Sequence, residues 1–139
     1  MVTIKLNQPQ QQSPNPWDGR CPSRAVLNLI GDKWAMLIFP LLMQRPHRNS
    51  ELLRGVGGIS QKVLTETLRD FEVHGLALRK DYGTVPPKVD YRLTELGRTL
   101  AEAMAVLDQW VVDHYHEVAG ARQRYLRRVR PAKSTGRTQ

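Results

Sequence analysis

The sequence predicts one mainly α-helical domain with a small two-stranded β-wing, and three observations predict it. Apolar residues recur at intervals of three and four along successive segments, as they do on helices with one buried face. One stretch switches to strict alternation: Leu76, Leu78, Lys80 and Tyr82, then Val89, Tyr91 and Leu93 across residues 83–88, which include Pro86 and Pro87. That pattern reads as two paired strands. Upstream, two short helical segments are divided by Gly55, Gly57 and Gly58, and the second has a polar outer face. This is a helix-turn-helix pattern, and with the following ribbon it becomes a winged one. A chain of 139 residues is long enough for one core and too short for two ordinary domains.

Taken in order, residues 1–20 are expected to be a disordered arm, because 7–16 consist only of Gln, Pro, Asn and Ser and cannot bury enough apolar area to order themselves. Pro22 suits the first turn of a helix in which Ala25, Val26, Leu29 and Ile30 form the stripe, ending near Gly31. Asp32 opens a second helix with Trp34, Leu37, Ile38, Leu41 and Leu42 on its expected inner face, and Pro40 predicts a kink there. Asn49 or Ser50 is expected to cap a short helix over residues 51–54. Ser60 caps the next, with Val63, Leu64, Leu68 and Phe71 inward, and Gly75 stops it. After the wing, Thr94 and Glu95 open a last helix whose stripe is Leu96, Leu100, Ala103, Leu107, Trp110 and Val111. The domain is expected over residues 21–119, with a basic tail over 120–139.

The net charge of +8 is unevenly placed. Arg122, Arg124, Arg127, Arg128, Arg130, Lys133 and Arg137 stand in the tail without one acid, so the rest of the chain is close to neutral. A nucleic-acid reading of the domain therefore rests on pattern and not on bulk charge. The most apolar run, residues 37–43, is too short to span a bilayer, and the N-terminus lacks a signal-peptide pattern, so a cytoplasmic protein is expected. The one cysteine excludes an internal disulfide. His114 and His116 point in different directions on a helix, while His47 and His74 are isolated, so no metal site is expected. No phosphate loop or catalytic set is found, so neither a cofactor nor an enzyme is expected.

The start of the Ser60 helix offers free N–H groups suited to phosphate, and Gln61, Lys62, Thr65 and Arg69 are the candidates for major-groove base readout. Arg48, Ser50 and Ser60, with Lys80, Lys88 and Arg92 from the wing, are the candidate phosphate contacts. Leu100, Leu107, Trp110 and Val111 are the candidate dimerisation residues, since the late part of the last helix exceeds what a small domain can cover. A homodimer would place two recognition helices on one face of double-stranded DNA, over a pseudo-palindromic operator.

Four stretches carry a family resemblance: Gly31-Asp32-Lys33-Trp34, then Gly58-Ile59-Ser60-Gln61-Lys62-Val63-Leu64-Thr65, then Val85-Pro86-Pro87-Lys88-Val89-Asp90-Tyr91, and Leu93-Thr94-Glu95-Leu96-Gly97. In this order and spacing the chain resembles the HxlR-type regulators, a MarR-like family of bacterial winged-helix transcription factors. The resemblance covers residues 21–119 and implies a homodimer through the terminal helices, with a helix and wing from each subunit on DNA. Pro40 departs from the family's usual helix. Some members of the family sense electrophiles, quinones or oxidants through a cysteine near the position of Cys21. Here Cys21 lies at a helix start between Arg20 and Arg24, where dipole and charge favour thiolate, so it is the redox candidate. The alternative is an inert residue packed beside the first helix. Against specific regulation stand a non-specific nucleic-acid binder driven by the tail and a winged-helix adaptor for protein partners. The tail itself is read either as a source of phosphate attraction or as a solubilising end.

Overall fold

The computed structural model describes Asn15 and residues 17–130. Most of the expected N-terminal arm and the end of the chain, with Lys133 and Arg137, lie outside the described residues. Residues 17–20 form a turn, with the Cys21 amide donating to the Asp18 carbonyl at 2.9 Å.

Helix α1 (Ser23–Ile30) begins after Pro22 and buries only Leu29, leaving Ala25 and Val26 exposed. Asp32 caps α2 (Lys33–Gln44) by accepting from the Trp34 amide at 2.7 Å. The two helices meet at 78°. Helix α2 buries Ala35, Ile38, Phe39 and Leu42, whereas Leu37, expected inside, is half exposed. The helix is rotated so that Ala35 and Phe39 replace Trp34 and Leu37 at the centre of its inner face. It continues unbroken through Pro40, which sits at an exposed position.

Helix α3 (Asn49–Gly55) is capped at Arg48, one residue before Asn49 and two before Ser50, the expected caps. The reason is Glu51: its carboxylate accepts from the Arg48 amide at 3.3 Å and pairs with Arg45 at 2.7 Å. Arg45 first, then the Arg48 amide, holds the Glu51 carboxyl below its ordinary value. The turn passes through Gly58 at φ +84°. Ser60 Oγ then accepts from the Val63 amide at 3.2 Å to cap α4 (Gln61–Val73). Leu64, Thr67, Leu68 and Phe71 are buried, and the Phe71 ring meets Phe39 of α2 at 4.6 Å between centroids. The exit is a paired C-terminal cap: Leu76 N donates to Phe71 O at 2.8 Å and Gly75 N to Glu72 O at 3.0 Å. This requires the left-handed backbone that Gly75 adopts at φ +71°.

Strands β1 (Ala77–Asp81) and β2 (Val89–Leu93) pair antiparallel, with Ala77 opposite Leu93 and Asp81 opposite Val89. A third edge forms through His47, which exchanges two backbone hydrogen bonds with Tyr91, at 3.0 and 2.8 Å. The alternation read from the sequence places Tyr91 and Leu93 inside on β2, where Asp90 between Val89 and Tyr91 is buried as well, and it fails on β1. Leu76 and Ala77 are buried, while Leu78 is 56% exposed and Lys80 is exposed. Only the base of the ribbon lies over the domain; beyond Ala77 the wing projects away from it.

Helix α5 (Glu95–Val129) spans 35 residues, about 52 Å at 1.5 Å per residue. Thr94 anchors its start: Oγ1 accepts from Gly97 N at 3.0 Å and donates to Gly75 O at 2.6 Å, and Thr94 N donates to Leu76 O at 3.0 Å. Its inner face is Gly97, Ala101 and Met104, with Leu100 packed at the core's edge. Of the expected stripe, Leu96 and Ala103 are exposed, and so are Leu107, Trp110 and Val111, the late residues expected to exceed what the domain covers. The boundary expected after residue 119 falls inside this helix, and the arginines up to Arg128 are helical.

Candidate nucleic-acid interface

At about 100° per residue, Gln61, Thr65, Arg69 and Lys62 of α4 fall within one arc of about 100°, its centre turned about 120° from that of the buried Leu64, Thr67, Leu68 and Phe71. All four are exposed. Gln61 is held in place: its Nε2 donates to Asn49 Oδ1 at 2.8 Å and to Thr65 Oγ1 at 3.1 Å, while Thr65 Oγ1 donates to Gln61 O at 2.9 Å. In the sequence Asn49 stands only as a cap candidate. Its tie to Gln61 spans the turn between α3 and α4, and no sequence signal announced it. Arg48 and Ser50 are exposed at the start of α3, beside the α4 N-terminus that Asn49 touches. The Ser60 hydroxyl is engaged in its cap, which leaves backbone N–H groups of the first turn as the phosphate-directed donors.

In the wing, the Lys80 and Lys88 ammonium groups lie 4.7 and 4.4 Å from the centroid of the Tyr82 ring. The Tyr82 hydroxyl donates to Asp90 Oδ2 at 2.6 Å. Arg92 Nη2 donates to both Asp90 oxygens, at 3.1 and 3.2 Å, and to the Tyr82 hydroxyl at 3.1 Å. Burial alone pushes the Asp90 carboxyl upward. The Tyr82 and Arg92 hydrogen bonds together outweigh it and hold the group below its usual value. The same bond to Asp90, with burial, raises the Tyr82 phenol, so its proton is retained. Arg92, expected at a phosphate, has its guanidinium in a half-buried brace with Asp90 and Tyr82, the ring on which both lysines rest.

The far face of α5 is apolar and open. Leu107, Trp110 and Val111 are each about half exposed, and Val118, Tyr125 and Val129 continue the row. Val26 and Leu27 of α1 are also uncovered. Of the four dimerisation candidates, Leu100 alone packs against its own core.

Cys21 is partly exposed, with Sγ 3.0 Å from Ser23 Oγ. The Ser23 hydroxyl, then its backbone amide, draws the thiol below its ordinary value, while burial and the Asp18 carboxylate oppose them. Ser23 is therefore the largest cause, with the Asn15 backbone adding to it; Arg20 is paired with Asp18 at 3.5 Å. No group of three His, Cys, Asp or Glu residues among the described residues is placed to hold a metal, and no single described helix is long and apolar enough to cross a membrane.

A capped helix with a polar arc, a glycine turn before it and a lysine-bearing ribbon after it define a winged helix-turn-helix DNA-binding transcriptional regulator, a class without enzymatic activity. The family described as HxlR-like helix-turn-helix matches residues 29–119, and the chain belongs to that family. It is 38% identical over 122 residues to the HTH-type transcriptional regulator YtfH of Escherichia coli, covering 88% of this chain and 96% of that one. Among solved structures, the transcriptional regulator ytfH from Salmonella typhimurium aligns with a TM-score of 0.75 at 36% identity, covering 79% of this chain and 98% of that one. The redox regulator HypR in its reduced form aligns with a TM-score of 0.66 at 34% identity, covering 71% and 98%.

Proposed function

We propose that the protein acts as a homodimer on a pseudo-palindromic operator, each subunit laying α4 in a major groove and its wing along the backbone. The polar arc of α4, turned away from the core and braced by Asn49, carries this reading. Gln61, Lys62, Thr65 and Arg69 read base edges, while Arg48, Ser50, the Ser60 turn, Lys80 and Lys88 position the subunit on phosphates. The open apolar row Leu107, Trp110 and Val111 supports the dimer, because exposed faces of this kind are usually covered by a partner. Footprinting on genomic fragments selected by the protein tests the assignment. Lys62→Ala and Arg69→Ala abolish the footprint with the fold intact; a footprint unchanged in both refutes it. Comparing operator with random DNA across salt concentrations separates this from tail-driven, non-specific binding, since only sequence-specific affinity survives when phosphate attraction is screened.

A second reading adds regulation through Cys21. It is favoured by the thiol's place beside Ser23, which stabilises the thiolate, and by the likeness to HypR, a redox regulator. With one cysteine in each chain, a two-electron oxidant joins two Cys21 sulfurs across subunits or joins one to a small thiol. Diamide treatment, with modification of Cys21 verified by mass, changes operator affinity in the native protein and not in Cys21→Ser. Equal affinity before and after treatment refutes this reading.

A further inference from the structure

Helix α5 is divided by charge along its length. Residues 95–117 carry Glu95, Glu102, Asp108, Asp113 and Glu117 against Arg98 alone; beyond them stand Arg122, Arg124, Arg127, Arg128 and Arg130 with no acid. The division also respects one side of the helix. At about 100° per residue, Glu102, Asp113 and Glu117 fall on the same flank as Arg124, Arg127 and Arg128, bordering the apolar row that runs through Leu107, Val111, Val118, Tyr125 and Val129. These arginines are exposed, and among the described residues no carboxylate lies within ion-pair distance of any of them; Arg128 rests 6.0 Å from the Tyr125 ring centroid. Of the acids, Asp113 accepts from Gln109 at 2.9 Å, and Glu117 meets His114 at 3.2 Å while 77% exposed. Both carboxylates keep lone pairs for a further partner.

We infer that the last turns of α5, beyond the residues matched by the family, form an arm that clasps the α5 of a second copy of this chain, running antiparallel to it. The inference rests on the homodimer proposed above and specifies its geometry. Two helices related by a two-fold axis perpendicular to them bring the same flank of each together. Where they cross between Tyr115 and Gly120, the stretch 122–128 of one lies opposite the acid-bearing stretch 102–118 of the other, twice by symmetry. A parallel pair would set arginine beside arginine and acid beside acid. The basic segment is thereby assigned to the partner subunit and not to DNA.

The test is sedimentation equilibrium on the full chain at low and high salt, with the triple variants R124E/R127E/R128E and E102K/D113K/E117K alone and mixed. The native protein is a dimer whose dissociation constant rises with salt. Each variant alone dissociates at least about tenfold more readily, as several exposed pairs of a few tenths of a kcal/mol each become repulsive. Mixed in equal amounts, the two form a heterodimer near native affinity, which also shows that both fold. A monomeric native protein overturns the dimer reading and this one together. A native dimer that R124E/R127E/R128E leaves unchanged, with loss of DNA affinity instead, overturns this inference alone and returns the arginines to phosphate binding.

Discussion

Gly97→Ala sets two effects of opposite sign against each other. Gly97 stands in the first turn of α5, where helix propensity alone would favour alanine by about 1 kcal/mol. A Cβ built there, however, lies 2.0 Å from the Leu76 carbonyl oxygen, 3.0 Å from its carbon and 3.2 Å from Leu93 Cδ2. Two of these obstacles are backbone, and the same Leu76 oxygen accepts from Thr94 N at 3.0 Å. Relief requires moving the start of α5 away from the base of the wing by about 1 Å. Overpacking of this kind costs about 1–3 kcal/mol, and losing the Thr94 bond about 1 kcal/mol more. The steric terms win, and the variant is destabilised by about 2 kcal/mol, lowering Tm by about 6–8 °C. Thermal and urea unfolding followed by circular dichroism, at fixed protomer concentration because a dimer's Tm depends on it, measures the difference. An unchanged or raised Tm would show that α5 does not seat on the Leu76 carbonyl as described.

The turn between α3 and α4 provides an internal comparison: Gly58→Ala, at φ +84°, costs about 1 kcal/mol, whereas Gly57→Ala, with open space around it, changes stability by less than about 0.5 kcal/mol in urea titrations. Phe71→Ala removes the ring packed on Phe39 and lowers unfolding free energy by about 3–5 kcal/mol, read from the shift of the denaturant midpoint. Asp90→Asn removes a carboxyl whose value is depressed in the folded protein. The stability it contributes is present above the unfolded value near 4 and is lost as pH falls through the lower folded value, so native protein and variant converge in acid and differ at neutral pH. Midpoints measured between about pH 7 and pH 3 check this, and a constant gap across that range contradicts it. At neutral pH the same variant leaves Arg92 and the Tyr82 hydroxyl one neutral amide oxygen in place of two carboxylate oxygens, which loosens the brace behind Lys80 and Lys88 and weakens DNA binding.

The features legible in the sequence are local in physical origin. Ser60, Thr94, Asp32 and Gly75 marked helix ends because a capping oxygen or a left-handed backbone acts within a few residues. The polar arc of α4 and the antiparallel wing were legible for the same reason: a period of 3.6 or of 2 is written in adjacent positions. Tertiary structure decided which apolar residues those elements bury. Leu37 and Leu78 match their periods and remain exposed, because α2 buries Ala35 and Phe39, the latter against Phe71, and because β1 leaves the domain after Ala77. The roles of Arg92, of Asn49 and of Ser23 beside Cys21 depend equally on groups that folding brings together, as does the close approach of Gly97 to Leu76. The length of α5 lies between these cases. Its cap and stripe were readable, but its passage beyond residue 119 was not, because the arginines there have the composition of a solvated tail, and only their place on a continuous helix reveals an amphipathic arm.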